Sequence, residues 1–246
     1  MRPRIALVLL LGVGVTVTAI IVAQTKSSRV ATQNRVQGVV ETAGDKSRRP
    51  TVRTRAQQAE AKGRTEIDLP RSSGDYLTVN SVEQAAKSHT AVIAEPVQVE
   101  SRLEDDGETI NSWYKFRIVE TLSEPTPYPY SFGSPPGELL PLNQNEFAAY
   151  LPGGSLMVGG VKVISRPPES PALPLFKKHL LFIDLDATNR VARIEYGPDS
   201  IFSVKEDGSV EAYNGRVTPL QLNAEARYGN SLDRIKSGLK NKPLPR

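Results

Sequence analysis

The stretch Thr90-Ala-Val-Ile-Ala-Glu-Pro-Val-Gln-Val-Glu-Ser-Arg-Leu103, the turn Asp105-Asp106-Gly107 and the run from Thr109 to Thr121 together decide the fold class. β-branched and apolar residues fill both arms, with Trp113, Phe116, Ile118 and Val119 in the second. Such residues suit a pleated, half-buried surface, and Asp-Gly between two such runs is a hairpin signal. The reading is a long strand, a tight turn and an antiparallel return. Pro96 cannot donate to a ladder, which places it at an edge or a bulge.

Further short strands follow at Glu146–Leu151, Ser155–Val158, Val161–Ile164, His179–Leu185, Val191–Tyr196, Ile201–Lys205 and Val210–Tyr213, separated by Gly, Asn and Asp turns. Many short strands with regular turn signals favour a closed barrel or sandwich over a parallel α/β sheet. Ahead of the hairpin, Ser81-Val82-Glu83-Gln84 has capping-box form and predicts a short helix through Lys87. The chain closes with an expected amphipathic helix from about Ala224 to Lys240, whose Tyr228, Leu232, Ile235 and Leu239 share one face. Gly229 and Gly238 weaken that helix, so its stability is expected to come from docking on the barrel.

The net charge of +4 is unevenly spread. Residues 24–71 carry eleven Lys/Arg against five Asp/Glu, whereas residues 72–246 are net −4. A nucleic-acid partner is not expected, since the folded body lacks the basic excess. Ile5 to Ala23 contains no charged residue and follows Arg2 and Arg4. It reads either as a cleaved signal peptide or as a retained membrane anchor through residues 5–23. Residues 24–71, polar and without aromatics, read as a disordered basic linker. The domain plan is thus 1–23 signal or anchor, 24–71 linker and 72–246 barrel domain with its terminal helix. The expected location is extracytoplasmic. With no cysteine and only His89 and His179, disulfides, thiolate sites and histidine-rich metal centres are excluded.

The run Thr90 to Ser101, followed by Trp113-Tyr-Lys-Phe-Arg-Ile-Val-Glu-Thr-Leu122, resembles uncharacterised exported bacterial proteins. The Gly-rich segment 153–160, Phe176-Lys-Lys-His-Leu-Leu-Phe-Ile183 and Gly197 to Val210 carry the same resemblance, over roughly residues 75–215. It implies an OB-like β-barrel, comparable to netrin and tissue-metalloproteinase-inhibitor domains, together with export and no established activity. Inhibition of metalloproteinases in those domains depends on a disulfide-anchored cysteine, which this sequence lacks.

Candidate chemistry is sparse. Asp184, Asp186, Thr188 and Glu195 fall at positions 1, 3, 5 and 12 of a calcium-loop frame. Their flanks read as strands, however, and a hairpin with an Asp/Thr/Asn turn is the other reading. Glu104, Asp105 and Asp106 read as a solvated hairpin tip, and His89 and His179 as structural residues. The Pro-rich segment 124–141 carries Tyr128, Tyr130 and Phe132. Those aromatics either face a partner from a stiff backbone or fold back over a barrel end. No glycine-rich phosphate loop or serine elbow occurs.

The expectation is therefore a mainly β, OB-like antiparallel barrel that is not an enzyme, uses no cofactor, and binds a protein or cell-envelope polymer through the 124–141 loop. The alternatives are a hydrolase or metal-dependent envelope enzyme and a purely structural accessory domain.

Overall fold

The structure is a computed structural model that describes residues 50–70, 78–123, 132–167 and 170–240. The signal or anchor at 1–23, the linker as far as residue 49, Tyr128 and Tyr130 lie outside the described residues. Among the described residues no helix is long and apolar enough to cross a membrane.

Three strands form an antiparallel meander: β2 (Thr90–Leu103), β3 (Ile110–Thr121) and β4 (Glu146–Pro152). A second hairpin, β7 (His179–Asp186) with β8 (Val191–Ile194), closes the circle. β4 meets β8 in parallel at Ala148 and Val191, and β7 runs antiparallel to the start of β2. The result is a closed five-stranded OB-like barrel in the order β2-β3-β4-β8-β7, antiparallel at every seam except β4–β8.

Period-2 alternation sorts the side chains, as the hairpin sequence requires. Val92 and Ala94, Tyr114 and Phe116, Phe147 and Ala149, and Leu181 and Ile183 point inward and form the barrel core. The Phe116 and Phe147 rings stack at 4.9 Å. Pro96 sits at a register shift, beyond Ala94 where the pairing of β2 with β7 ends. Both readings of Pro96 hold: it adjoins a bulge against β3, and β2 has no β7 partner there, so no ladder bond to β7 is lost.

The outward residues of β2 and β7, Ala91, Ile93, Leu180 and Phe182, are covered by helices. These are α2 (Val82–Ser88), α3 (Pro219–Tyr228) and α4 (Leu232–Lys240). Ser81 caps α2 by accepting the Gln84 amide at 3.1 Å, as the capping pattern predicts. The single terminal helix expected from Ala224 to Lys240 is instead two. Gly229 and Asn230 both take positive φ (58° and 55°), so the chain turns at a left-handed cap before α4 begins. The stripe survives the break, because Tyr228, Leu232, Ile235 and Leu239 all pack in the helical layer.

β2 and β3 are longer than the barrel needs, and their far ends carry a side lobe. There α1 (Val52–Glu60) and β1 (Glu66–Asp68) pack against the hairpin of β5 (Gly154–Val158) and β6 (Val161–Ser165). Val52, Ala56 and Ala59, spaced i, i+4, i+7, are buried against Ile110, Val161 and Val163. Thr51 caps α1 by accepting the Thr54 amide at 3.2 Å. The disordered-linker expectation is therefore corrected for residues 50–70. An alanine stripe buries enough apolar surface once the β5–β6 hairpin supplies the other side.

Candidate functional site

A cleft of about 670 Å³ opens between the barrel and the side lobe. One wall is the arm of β2 and β3, bearing Val99, Ser101, Ser112 and Tyr114; the facing wall is β5–β6, and the loop through Pro167 and Pro171 closes one side. A smaller hollow of about 170 Å³ shares Pro152, Gly153, Ser165 and Pro167 with it and runs toward Pro50 and Arg55. The volume lies within the range of about 300–1,000 Å³ usual for ligand sites.

Two glycines set the depth of this cleft. Gly153 and Gly154 have φ of 95° and 137°, a backbone that L side chains rarely adopt. A Cβ on Gly154 would lie 2.5 Å from Ser101 Oγ and 2.6 Å from Ser112 Oγ. β5 can thus lie directly on the serines. Ser112 donates to the Gly153 carbonyl at 2.9 Å, and the Ser155 amide donates to Ser101 Oγ at 3.1 Å. The Tyr114 hydroxyl accepts the Leu173 amide at 3.1 Å, which fixes the loop wall, and burial raises its pKa. At the rim, Lys162 and Arg166 form exposed pairs with Glu66 (3.7 Å) and Asp68 (3.5 Å). Exposed pairs of this kind contribute little, so both cations can turn toward a bound anion.

Of the four residues of the calcium-loop frame, Asp184 and Glu195 come together, whereas Asp186 and Thr188 stay apart from them. Asp186 accepts the amides of Thr188 (2.8 Å) and Asn189 (3.3 Å) and the Asn189 side chain (3.1 Å), the pattern of an Asx turn. Thr188 is exposed at that turn. Asp184, facing outward on β7, instead joins Glu195 from the end of β8 and His89 from the end of α2. His89 Nδ1 lies 2.8 Å from Asp184 Oδ1, and its Nε2 lies 3.0 Å from the Tyr196 hydroxyl. Arg193 Nε bonds Glu195 Oε1, and its guanidinium also lies 3.9 Å from Asp184 Oδ2. Tyr196 takes a left-handed backbone (φ 62°, ψ 10°), uncommon for a bulky residue, and this turns its ring edge-on to His89 at 5.2 Å. Burial, with Glu195 and Asp184 nearby, raises the Tyr196 pKa. His89 is thus a junction between three elements, which its lone position in the sequence did not reveal.

Of the aromatic loop, Phe132 is described, and it folds back. It packs with Trp113, Leu139, Ala148 and Val191 on the outside of the barrel, and Arg193 lies 5.6 Å over its ring. The following residues run as a strap over the outward faces of β2, β3 and β4. Gln98 donates to the Glu138 carbonyl at 2.8 Å, and Lys115 to the Pro141 carbonyl at 2.8 Å. In OB barrels generally, strands two and three form the usual ligand face. Here those strands are β3 and β4, and the strap covers them, leaving Trp113 buried and Tyr150 half-exposed at its edge.

His179 is fully buried at the start of β7, and neither ring nitrogen has a hydrogen-bond partner among the described residues. It lies edge-on to Tyr213 at 6.4 Å and reads as a packing residue. No family model and no curated protein matches this chain.

Proposed function

We propose that this protein is a non-enzymatic binding module that works outside the cytoplasm and takes an extended anionic chain, such as a cell-envelope polymer, in the cleft between barrel and side lobe. The observation that carries the reading is the cleft itself, about 670 Å³ with serine hydroxyls on its floor and Lys162 and Arg166 at its rim. The hydroxyls of Ser155, Ser165 and Ser170 in a partly apolar groove suit a polar chain, and the two cations favour negative charge along it. Residues 24–49, with six Lys/Arg against two Asp/Glu, add a second basic stretch for the same polymer. Binding in place of catalysis is supported by the floor hydroxyls, which are engaged with Gly153 and Ser155. Export rests on the charge-free run Ile5 to Ala23 behind Arg2 and Arg4.

The test is retention of the full chain on immobilised anionic envelope polymer, neutral glycan and a peptide pool. Saturable, salt-sensitive binding to the anionic polymer, lost in Ser155→Trp, supports the reading, because Ser155 is exposed and lines the cleft. Equal retention of Ser155→Trp, or binding to peptides alone, contradicts it.

A further inference from the structure

We infer that His89 Nδ1, Asp184 and Glu195 form a binding site for one divalent transition-metal ion on the outer wall of the barrel, separate from the cleft. The three side chains come from the end of α2, from β7 and from the residue after β8, and their ligand atoms all lie within 4.8 Å of one another. Donors around a tetrahedral zinc-sized ion, with bonds of about 2.0–2.2 Å, stand roughly 3.3–3.6 Å apart. His89 Nδ1 and Asp184 Oδ1 are already at 2.8 Å. This pair opens by about half an ångström and Glu195 closes on it, from a spread of up to 4.8 Å.

Charge balance argues the same way. Asp184 is 2% exposed and Glu195 6%. Two carboxylates this far out of water need compensating positive charge. Arg193 supplies one, from a half-exposed position. A cation held between the three donors adds to that compensation. Arg193 has solvent on its outer side and can yield the Glu195 oxygen to the ion.

The surroundings fit an imidazole ligand. When Nδ1 holds the metal, the single ring proton of neutral His89 sits on Nε2 and is donated to the Tyr196 hydroxyl, 3.0 Å away. Such an outer partner fixes tautomer and ring orientation at metal-bound histidines. A donor set of one imidazole and two carboxylates suits zinc or manganese, whereas calcium and magnesium prefer oxygen alone. Asp186 takes no part, since its oxygens are held by Thr188 and Asn189.

The test is titration of the chelator-treated full chain with ZnCl₂, MnCl₂ and CaCl₂, followed by calorimetry and melting temperature. The expected result is one zinc or manganese ion per chain with a raised melting temperature, and no such response to calcium. Asp186→Asn retains the binding and Glu195→Gln weakens it at least tenfold. Arg193→Ala, which removes the competing cation and no ligand, binds at least tenfold more tightly, and this comparison stands even if a ligand variant fails to fold. Cobalt substituted for zinc gives a visible absorption band that His89→Ala abolishes. Absence of stoichiometric binding in both the unaltered chain and Arg193→Ala overturns the inference. So does unchanged affinity in folded His89→Ala.

Discussion

The Tyr228 hydroxyl donates to Glu83 Oε1 at 2.5 Å, joining α3 to α2 across the barrel's helical layer. Burial first, and Glu83 next, push the Tyr228 pKa up to about 12, so the phenol remains a donor throughout the physiological range. Gly238 passes against that ring, where a Cβ would lie 2.7 Å from Tyr228 Cε1. Lys236 then fastens α4 to Glu120 at the end of β3, at 2.6 Å.

These contacts make the terminal helices part of the barrel's stability. Ile235 is fully buried in the same cluster as Phe182 and Leu180. Ile235→Ala is expected to destabilise the whole barrel by about 2–5 kcal/mol. Denaturant unfolding followed by Trp113 fluorescence measures this. An unchanged midpoint would show that α4 is not coupled to the barrel.

His179 makes stability fall in mild acid. Burial lowers its folded pKa from 6.5 to about 4. Above pH 6.5 neither state is charged there. As pH falls from 6.5 to about 4, the unfolded chain takes up the proton first, so folding loses roughly 1.4 kcal/mol per unit, about 3 kcal/mol in all. His179→Leu is expected to flatten that part of the stability profile. A profile identical to the unaltered protein's would remove His179 as the cause.

The side lobe is predicted to resist trypsin. Val52, Ala56 and Ala59 are buried and Arg55 donates to the Pro50 carbonyl at 2.9 Å, so the resistant fragment keeps Arg53 and Arg55 uncut. Ala56→Asp places a charge in the lobe's core and exposes both sites. Mass spectrometry of the digests reads the outcome, and rapid cutting after Arg53 in the unaltered chain counts against a folded lobe.

Gly154→Ala combines a backbone penalty at φ 137° with a Cβ 2.5 Å from Ser101 Oγ. The expected cost is about 1–3 kcal/mol, with the β5–β6 hairpin lifted from the serines. Faster hydrogen exchange confined to 153–165 is the signature. Exchange and stability unchanged by the substitution would mean that the close approach is not needed.

Where the sequence pattern is local, it is readable. The alternation from Val92 to Phe116 and the Asp106-Gly107 turn announce the central hairpin. α1 escapes because alanines among Arg and Gln carry its stripe, and the surface that buries them, Val161 and Val163, lies about a hundred residues along the chain. Averaging composition over 24–71 hides it further. The break between α3 and α4 had a readable signal, Gly229-Asn230, a left-handed helix stop that the continuous apolar stripe masks. The His89–Asp184 pair has no such signal, since its members stand 95 positions apart and meet only because β7 closes on β2 beside the end of α2.

The proposed function requires ligand to enter the cleft and not to cover the strapped outer face of the barrel. Hydrogen exchange of the full chain, with and without saturating anionic envelope polymer, tests it most directly. Slowed exchange is expected at 99–101, 112–114, 153–155 and 162–167, with the strap at 132–142 unaffected. Protection centred on 132–142 and Tyr150, with the cleft unchanged, would contradict it.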